Sequence, residues 1–330
     1  MNQFTDRNGN AVPATSADDW RRKKSSILQA MQEVMGPLPG EEKRSPLDVQ
    51  IEEEDDCGSY VRQLISYASE PRARTPAYLL IPKAALERQT RCPAVLCPHP
   101  TDDREGHKVV VGLGGKENRN YASELAERGF VTLAPSYPLL ADYQPDLQGL
   151  GYESGTMKGI WDNIRGLDLL TSLPYVAPQT CGSIGHSLGG HNSIYTAVYD
   201  QRIGVIVSCC GFDSYQDYMD GKIAGWTSAR YMPNLKNYPL EDIPFDFHDL
   251  IAALAPRPFF AVAPLHDSNF KWRSVDAVMA AAAQVYDLYN AGENLSVEHP
   301  DCKHDFPDAM RGKAYELFEK HLKSDAEKPS

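Results

Sequence analysis

The sequence predicts an α/β fold, with a mostly parallel central sheet, helices on both of its faces and a lid-like insertion. Three observations carry that expectation. From Cys92 onward, short apolar stretches alternate with amphipathic ones of helical length, as buried parallel strands and their crossover helices do. In the middle of that alternation Gly185-His186-Ser187-Leu188-Gly189 fits GxSxG, with a strand-like stretch before it and a helix-like stretch after it. A chain of 330 residues can also bury a large core as one domain with insertions.

Residues 1–45 read as an arm and a helix. The arm, 1–17, is polar; the helix starts at Asp18 or Asp19, and Trp20, Ile27, Leu28, Met31, Val34 and Met35 recur at helical spacing until Gly36-Pro37 stops it. The body, 46–324, opens with strand candidates at 47–53, 60–69 and 76–81, the first two alternating as half-exposed antiparallel strands do. Then follow strand 93–97, helix 118–128, strand 130–134, helix 158–173, strand 180–184, helix 188–199 and strand 203–209. Strand 259–263, helix 274–289, strand 295–298 and helix 308–322 complete the body, and 325–330 is read as a frayed tail. Two stretches interrupt the pattern: 139–156, and 211–244, a lid candidate carrying Phe212, Tyr215, Tyr218, Trp226, Tyr231 and Tyr238.

Lys plus Arg number 33 against 45 for Asp plus Glu, a net charge of -12, which argues against nucleic acid or an anionic membrane as partner. No apolar run approaches the ~18 residues of a membrane span, and the polar start MNQFTDRNGN has no signal-peptide core, so the expected location is cytoplasmic. The seven cysteines lack framework spacing and read as buried thiols. Oligomeric state is not legible.

The chemistry centres on Ser187. A serine hydroxyl needs a general base, usually a histidine held by a carboxylate, and a strand-to-helix turn presents such a serine to solvent. Glycines before and after it remove side chains that would collide in the tight turn. For this arrangement the acid and the histidine follow the serine in that order, on loops after later strands. Asp267 follows strand 259–263 and His304 follows strand 295–298, so both places are filled. The competing groups are His299 and His266 for the base, and Asp301 or Glu298 for the acid. Two donors must meet the oxyanion: the N–H of Leu188, at the start of its helix, and one from the loop Pro98-His99-Pro100-Thr101. Pro100 has no N–H, which leaves Thr101. Substrate contacts are expected from His99, His186, Tyr137, Trp226 and Tyr231, with Tyr143 as a further aromatic; packing inside the lid is the alternative role for these aromatics.

The elbow, His99-Pro100-Thr101, Gly112-Leu113-Gly114-Gly115 with the following Asn120–Phe130 stretch, and His304-Asp305-Phe306-Pro307 together resemble the dienelactone hydrolase and acetyl xylan esterase branch of the α/β-hydrolase superfamily over residues 90–324. The resemblance implies a Ser187, Asp267, His304 triad and ester hydrolysis through an acyl-enzyme, with neither metal nor cofactor. Dienelactone hydrolases proper use cysteine as nucleophile; serine here points to ordinary carboxylic esters. The expected activity is therefore a serine carboxylesterase for a short-acyl or acetylated carbohydrate substrate. A peptidase of the prolyl-oligopeptidase type and a hydrolase fold kept for binding are the alternatives. The glycines before Lys116 lack phosphate-loop spacing, and Cys92, Cys97, His99 and His107 lack zinc-site spacing.

Overall fold

The computed structural model describes residues 3–5, 11–87, 91–177 and 181–323. Residues 178–180, at the start of the strand expected before the elbow, and the tail 325–330 lie outside them. Strands β1 (Gln3–Thr5) and β2 (Ala11–Pro13) pair antiparallel, so the arm expected to be loose is partly a small sheet. Helix α1 (Ala17–Met35) is capped by Ser16, whose hydroxyl accepts from the Asp19 N–H, and not by Asp18 or Asp19. Then come β3 (Gln50–Asp56), β4 (Tyr60–Glu70), β5 (Ala73–Pro82), the short helix α2 (Lys83–Glu87) and β6 (Ala94–Leu96). After these follow α3 (Tyr121–Glu127), β7 (Val131–Pro135), α4 (Gly155–Ser172), β8 (Cys181–His186), α5 (Leu188–Tyr199) and β9 (Ile203–Cys209). The chain closes with α6 (Phe247–Ala252), β10 (Phe259–Val262), α7 (Trp272–Leu288), β11 (Leu295–Glu298) and α8 (Asp308–Phe318).

Nine strands form the main sheet in the order β11-β10-β9-β8-β6-β7-β5-β4-β3. The run from β7 to β11 is parallel, while β5, β4 and β3 pair antiparallel at one edge. The edge strand β3 is exposed along its whole length and carries Glu52-Glu53-Glu54-Asp55-Asp56, a charge run that opposes pairing with another edge. In the parallel part successive side chains go to opposite faces, each face buried under helices. Leu96, Ile206 and Phe259 pack with α1, α4, α5 and α7, whereas Val95, Val207 and Phe260 pack with α3 and α8. The elbow strand β8 lies between β6 and β9, so its C-terminal end opens at the middle of the sheet. Among the described residues no helix is long and apolar enough to cross a membrane.

Candidate active site

Strand β8 ends at His186 and α5 begins at Leu188, which leaves Ser187 alone on the turn with φ 55° and ψ -120°. A residue other than glycine held there stores on the order of 1–3 kcal/mol of strain, which the surrounding structure must offset. Here the surroundings are tight. A Cβ on Gly185 would lie 2.1 Å from the Gly189 carbonyl carbon, and one on Gly189 would lie 2.2 Å from the Pro98 oxygen. The two glycines therefore let strand, helix and the 98–101 loop converge under the serine. The Ser187 N–H donates to the Cys209 carbonyl, 2.8 Å, tying the turn to the end of β9.

His304 lies on the loop after β11, and its Nδ1–H donates to both carboxylate oxygens of Asp267, at 3.0 and 2.9 Å. The Asp267 side chain is 1% exposed. Its Oδ1 also accepts from the Asn269 and Phe270 N–H groups, 2.8 and 3.3 Å, so the aspartate both caps its own loop and orients the imidazole. The two loops are joined: Leu265 N–H donates to Pro300 and His266 N–H to Cys302. From the other side Arg119 donates to the His304 carbonyl and pairs with Asp305, 2.6 Å, while Asn118 donates to Asp305. Burial acts to lower the pKa of His304, but the hydrogen bond with Asp267 and the nearby Cys210 sulfur outweigh it and push the value up to about 9.

The other candidates for these two roles are engaged elsewhere. Both ring nitrogens of His299 are engaged, Nδ1 with the Ala263 carbonyl at 2.8 Å and Nε2 with the Asp276 carboxylate at 2.9 Å. His266 pairs with Asp301 on the exposed surface, and Glu298 pairs with Lys313.

A cavity of about 110 Å³ opens on Ser187 and is walled by Thr101, Leu188, His191, Trp226, Tyr231 and Phe270 among others. Phe270 joins it to His304, the two ring centroids 6.1 Å apart. Larger hollows, about 400 Å³ beside Arg72 and about 620 Å³ beside Glu124, carry no serine presented by an elbow, so chemistry and not size selects the small one. Leu188 is the first residue of α5, and its N–H lies at the positive helix end. Thr101 reaches the same cavity, its hydroxyl 2.9 Å from that of Tyr231. The 211–244 insertion is pinned to the 98–103 loop by this contact and by the Arg230–Asp103 ion pair at 2.6 Å.

The five expected substrate contacts divide. Trp226 and Tyr231 line the cavity. The other three stand behind it, which corrects the sequence reading. His99 is buried, its Nδ1–H donating to Pro100 O and its Nε2 accepting the Tyr137 N–H, and burial holds its pKa down to about 4. Tyr137 is buried and donates to the Arg230 carbonyl, supporting the insertion from below. His186 is buried edge-on against His304, ring centroids 4.7 Å apart. Tyr143 is away from the cavity, its hydroxyl bonded to Asp162. Not singled out from the sequence were Asn269 and Phe270, although they follow Asp267 directly, nor Arg119, for which distance in sequence leaves no signal.

The thiols Cys92, Cys97, Cys181, Cys209 and Cys210 are buried. Among the described residues, His186 with Cys209 and Cys210, and Cys210 with Asp267 and His304, bring possible metal donors within 4.8 Å of one another. Burial raises the pKa of Cys209 and of Cys210.

This architecture, with its serine elbow at the end of a central parallel strand, is that of the α/β-hydrolases. No protein-family model matches the chain. YtaP of Bacillus subtilis (strain 168), whose name places it provisionally among the hydrolases, is 24% identical over 300 residues, covering 88% of this chain and 96% of that protein. A glucuronoyl esterase from Solibacter usitatus superposes with a TM-score of 0.76 at 17% identity, covering 95% of each chain. A promiscuous esterase of carbohydrate esterase family 15, from a marine bacterial metagenome, superposes with a TM-score of 0.73 at 16% identity, covering 94% of each. At such identities the superpositions show the shared fold.

Proposed function

We propose that the protein is a serine esterase that cleaves carboxylic esters of carbohydrate-like, hydroxyl-bearing compounds through an acyl-enzyme. The observation that carries this reading is the buried Asp267 carboxylate hydrogen-bonded to His304 beside the Ser187 elbow. Ser187 Oγ attacks the ester carbonyl as neutral His304 takes its proton, and Asp267 stabilises the imidazolium that forms. The N–H groups of Leu188 and Thr101 receive the oxyanion; a donor of this kind contributes about 3 kcal/mol to the transition state. His304 then gives its proton to the leaving alcohol, and water repeats the cycle to release the acid. Glucuronoyl esterases among the structural neighbours support the carbohydrate side of the reading. The small cavity at Ser187 supports a short group on at least one side of the ester.

Hydrolysis of p-nitrophenyl acetate, butyrate and octanoate by the wild type and by Ser187→Ala tests it. The wild type is expected to favour acetate, and the alanine variant to lose about 10⁴-fold or more in kcat. Equal activity of the two proteins would place the nucleophile elsewhere, and an inactive wild type would overturn the esterase reading.

A further inference from the structure

We propose that His191 and Trp226 form a binding site for one hydroxyl group of the substrate, the imidazole accepting a hydrogen bond from it and the indole N–H donating one to it. This inference rests on the esterase reading for the identity of the ligand, but on its own observations for the site.

Both side chains wall the cavity at Ser187, both are 4% exposed, and their ring centroids are 4.8 Å apart. They come from different elements. His191 sits in the first turn of α5, its own N–H donating to the Ser187 carbonyl, 3.2 Å, so it moves with the nucleophile. Trp226 comes from the insertion and is braced edge-on by Tyr215 and Tyr218. The indole nitrogen of Trp226 has no hydrogen-bond partner among the described residues, and the two nitrogens of His191 have only the Gly211 carbonyl between them, so one of them is left over. Buried polar groups are paired in the great majority of cases, so an unpaired indole N–H beside a left-over imidazole nitrogen in the wall of one reactive cavity calls for a ligand.

The donor inventory identifies that ligand. Indole N–H can only donate. Burial lowers the pKa of His191 to about 3, against the smaller opposing pull of the Gly211 carbonyl, so the ring stays neutral with one N–H and one lone pair. With the N–H on the Gly211 side, a lone pair remains on the other ring nitrogen, beside the indole donor of the neighbouring ring. A carboxylate has no proton to give the imidazole, and an ammonium cannot accept from the indole. An alcohol hydroxyl does both. The faces of Tyr218 and Phe270 in the same wall suit the C–H surface of a sugar ring, which makes a polyhydroxylated ester the matching class.

Two matched ester pairs test the proposal and locate the hydroxyl. On the acyl side, the methyl ester of a methyl glucuronoside is compared with methyl cyclohexanecarboxylate. On the alcohol side, methyl 6-O-acetylglucoside is compared with cyclohexylmethyl acetate. The wild type is expected to prefer the hydroxylated member of one pair. His191→Phe and Trp226→Phe keep an aromatic ring without the nitrogen, and each should shrink that preference about tenfold or more, mainly through KM. His191→Asn, which restores an acceptor, should recover part of it. A purely structural role lowers both members of a pair together and leaves their ratio intact. A ratio that stays within about twofold of wild type in both phenylalanine variants, or a wild type with no preference in either pair, overturns the proposal. If no ester is turned over, the esterase reading fails separately, and the site is read by binding. Saturable quenching of tryptophan fluorescence by methyl glucuronoside, lost in His191→Phe, then supports it, and absence of quenching overturns it.

Discussion

Two buried polar regions lie on this sheet, and they are built in opposite ways. Near the antiparallel edge, Lys158 is fully buried and spends its three protons on Asp162, Glu70 and Ser69. Asp162 also accepts from Thr75 and Tyr143, and Glu70 from Tyr152 and Lys43. Every charge there is met by protein, so the cluster has no valence left for a ligand. At the C-terminal end of β8 the reverse holds. Ser187 is held in a strained turn, and His186, His191 and Trp226 keep unpaired nitrogens although they are buried. A satisfied network fixes a wall, whereas an unsatisfied one is completed only when something binds.

The largest expected effect breaks the paired region. Lys158→Met leaves the buried Asp162 carboxylate without its cation, while Glu70 keeps Lys43, and stripping one partner from a buried pair typically costs about 3–5 kcal/mol. Urea unfolding should show that loss. His191→Phe, in the other region, removes an unpaired polar group and should leave unfolding stability equal or slightly higher. If both variants lose the same stability, the contrast between the two regions is wrong.

The next effect is on pH dependence. In the proposed mechanism His304 must be neutral to accept the Ser187 proton, and its pKa is raised above the ordinary 6.5 to about 9. With its pKa raised, kcat/KM should rise with pH, about tenfold per unit on its acid side, and level off only above about 9. The hydrogen bond with Asp267 is the larger of the causes that raise the His304 pKa, ahead of Cys210, so removing that carboxylate should lower the value. Asp267→Asn is then expected to move the limb toward acid as well as to lower kcat. A limb that does not move in that variant would assign the shift to another group.

How much of this was legible in the sequence follows from what each feature depends on. Helix 188–199 and strands 203–209 and 295–298 were predicted to the residue, because short apolar or alternating runs mark strands and a longer run of small and apolar residues marks a helix packed on the sheet. That Asp267 and His304 sit on loops after later strands than the one that carries Ser187 was readable from chain order. Three-residue strands such as β1 and β2 are too short to show a period, and α6 is hidden by the aromatic insertion before it. The misplaced contacts have a common cause. His99, His186 and Tyr137 are adjacent to the right residues in sequence, but a strand end points alternate side chains to opposite sides, and only the three-dimensional path tells which side holds the cavity. Pairing of Lys158 with Glu70 likewise joins residues far apart in the chain and leaves no local pattern.

The smallest effect tests where the insertion meets the reaction. Tyr231 and Thr101 share one hydrogen bond between hydroxyls, 2.9 Å, and a neutral bond of this kind contributes about 0.5–1.5 kcal/mol. Tyr231→Phe should therefore cost only a few-fold in kcat/KM. The parameter that changes matters more than its size. If the bond holds the Thr101 N–H in place for the oxyanion, the loss falls on kcat, since the oxyanion exists only along the path to product. Thr101→Val should then reproduce it, and the double variant should be no worse than either single one. If the two losses add and KM rises instead, Tyr231 acts on the bound substrate and not through Thr101.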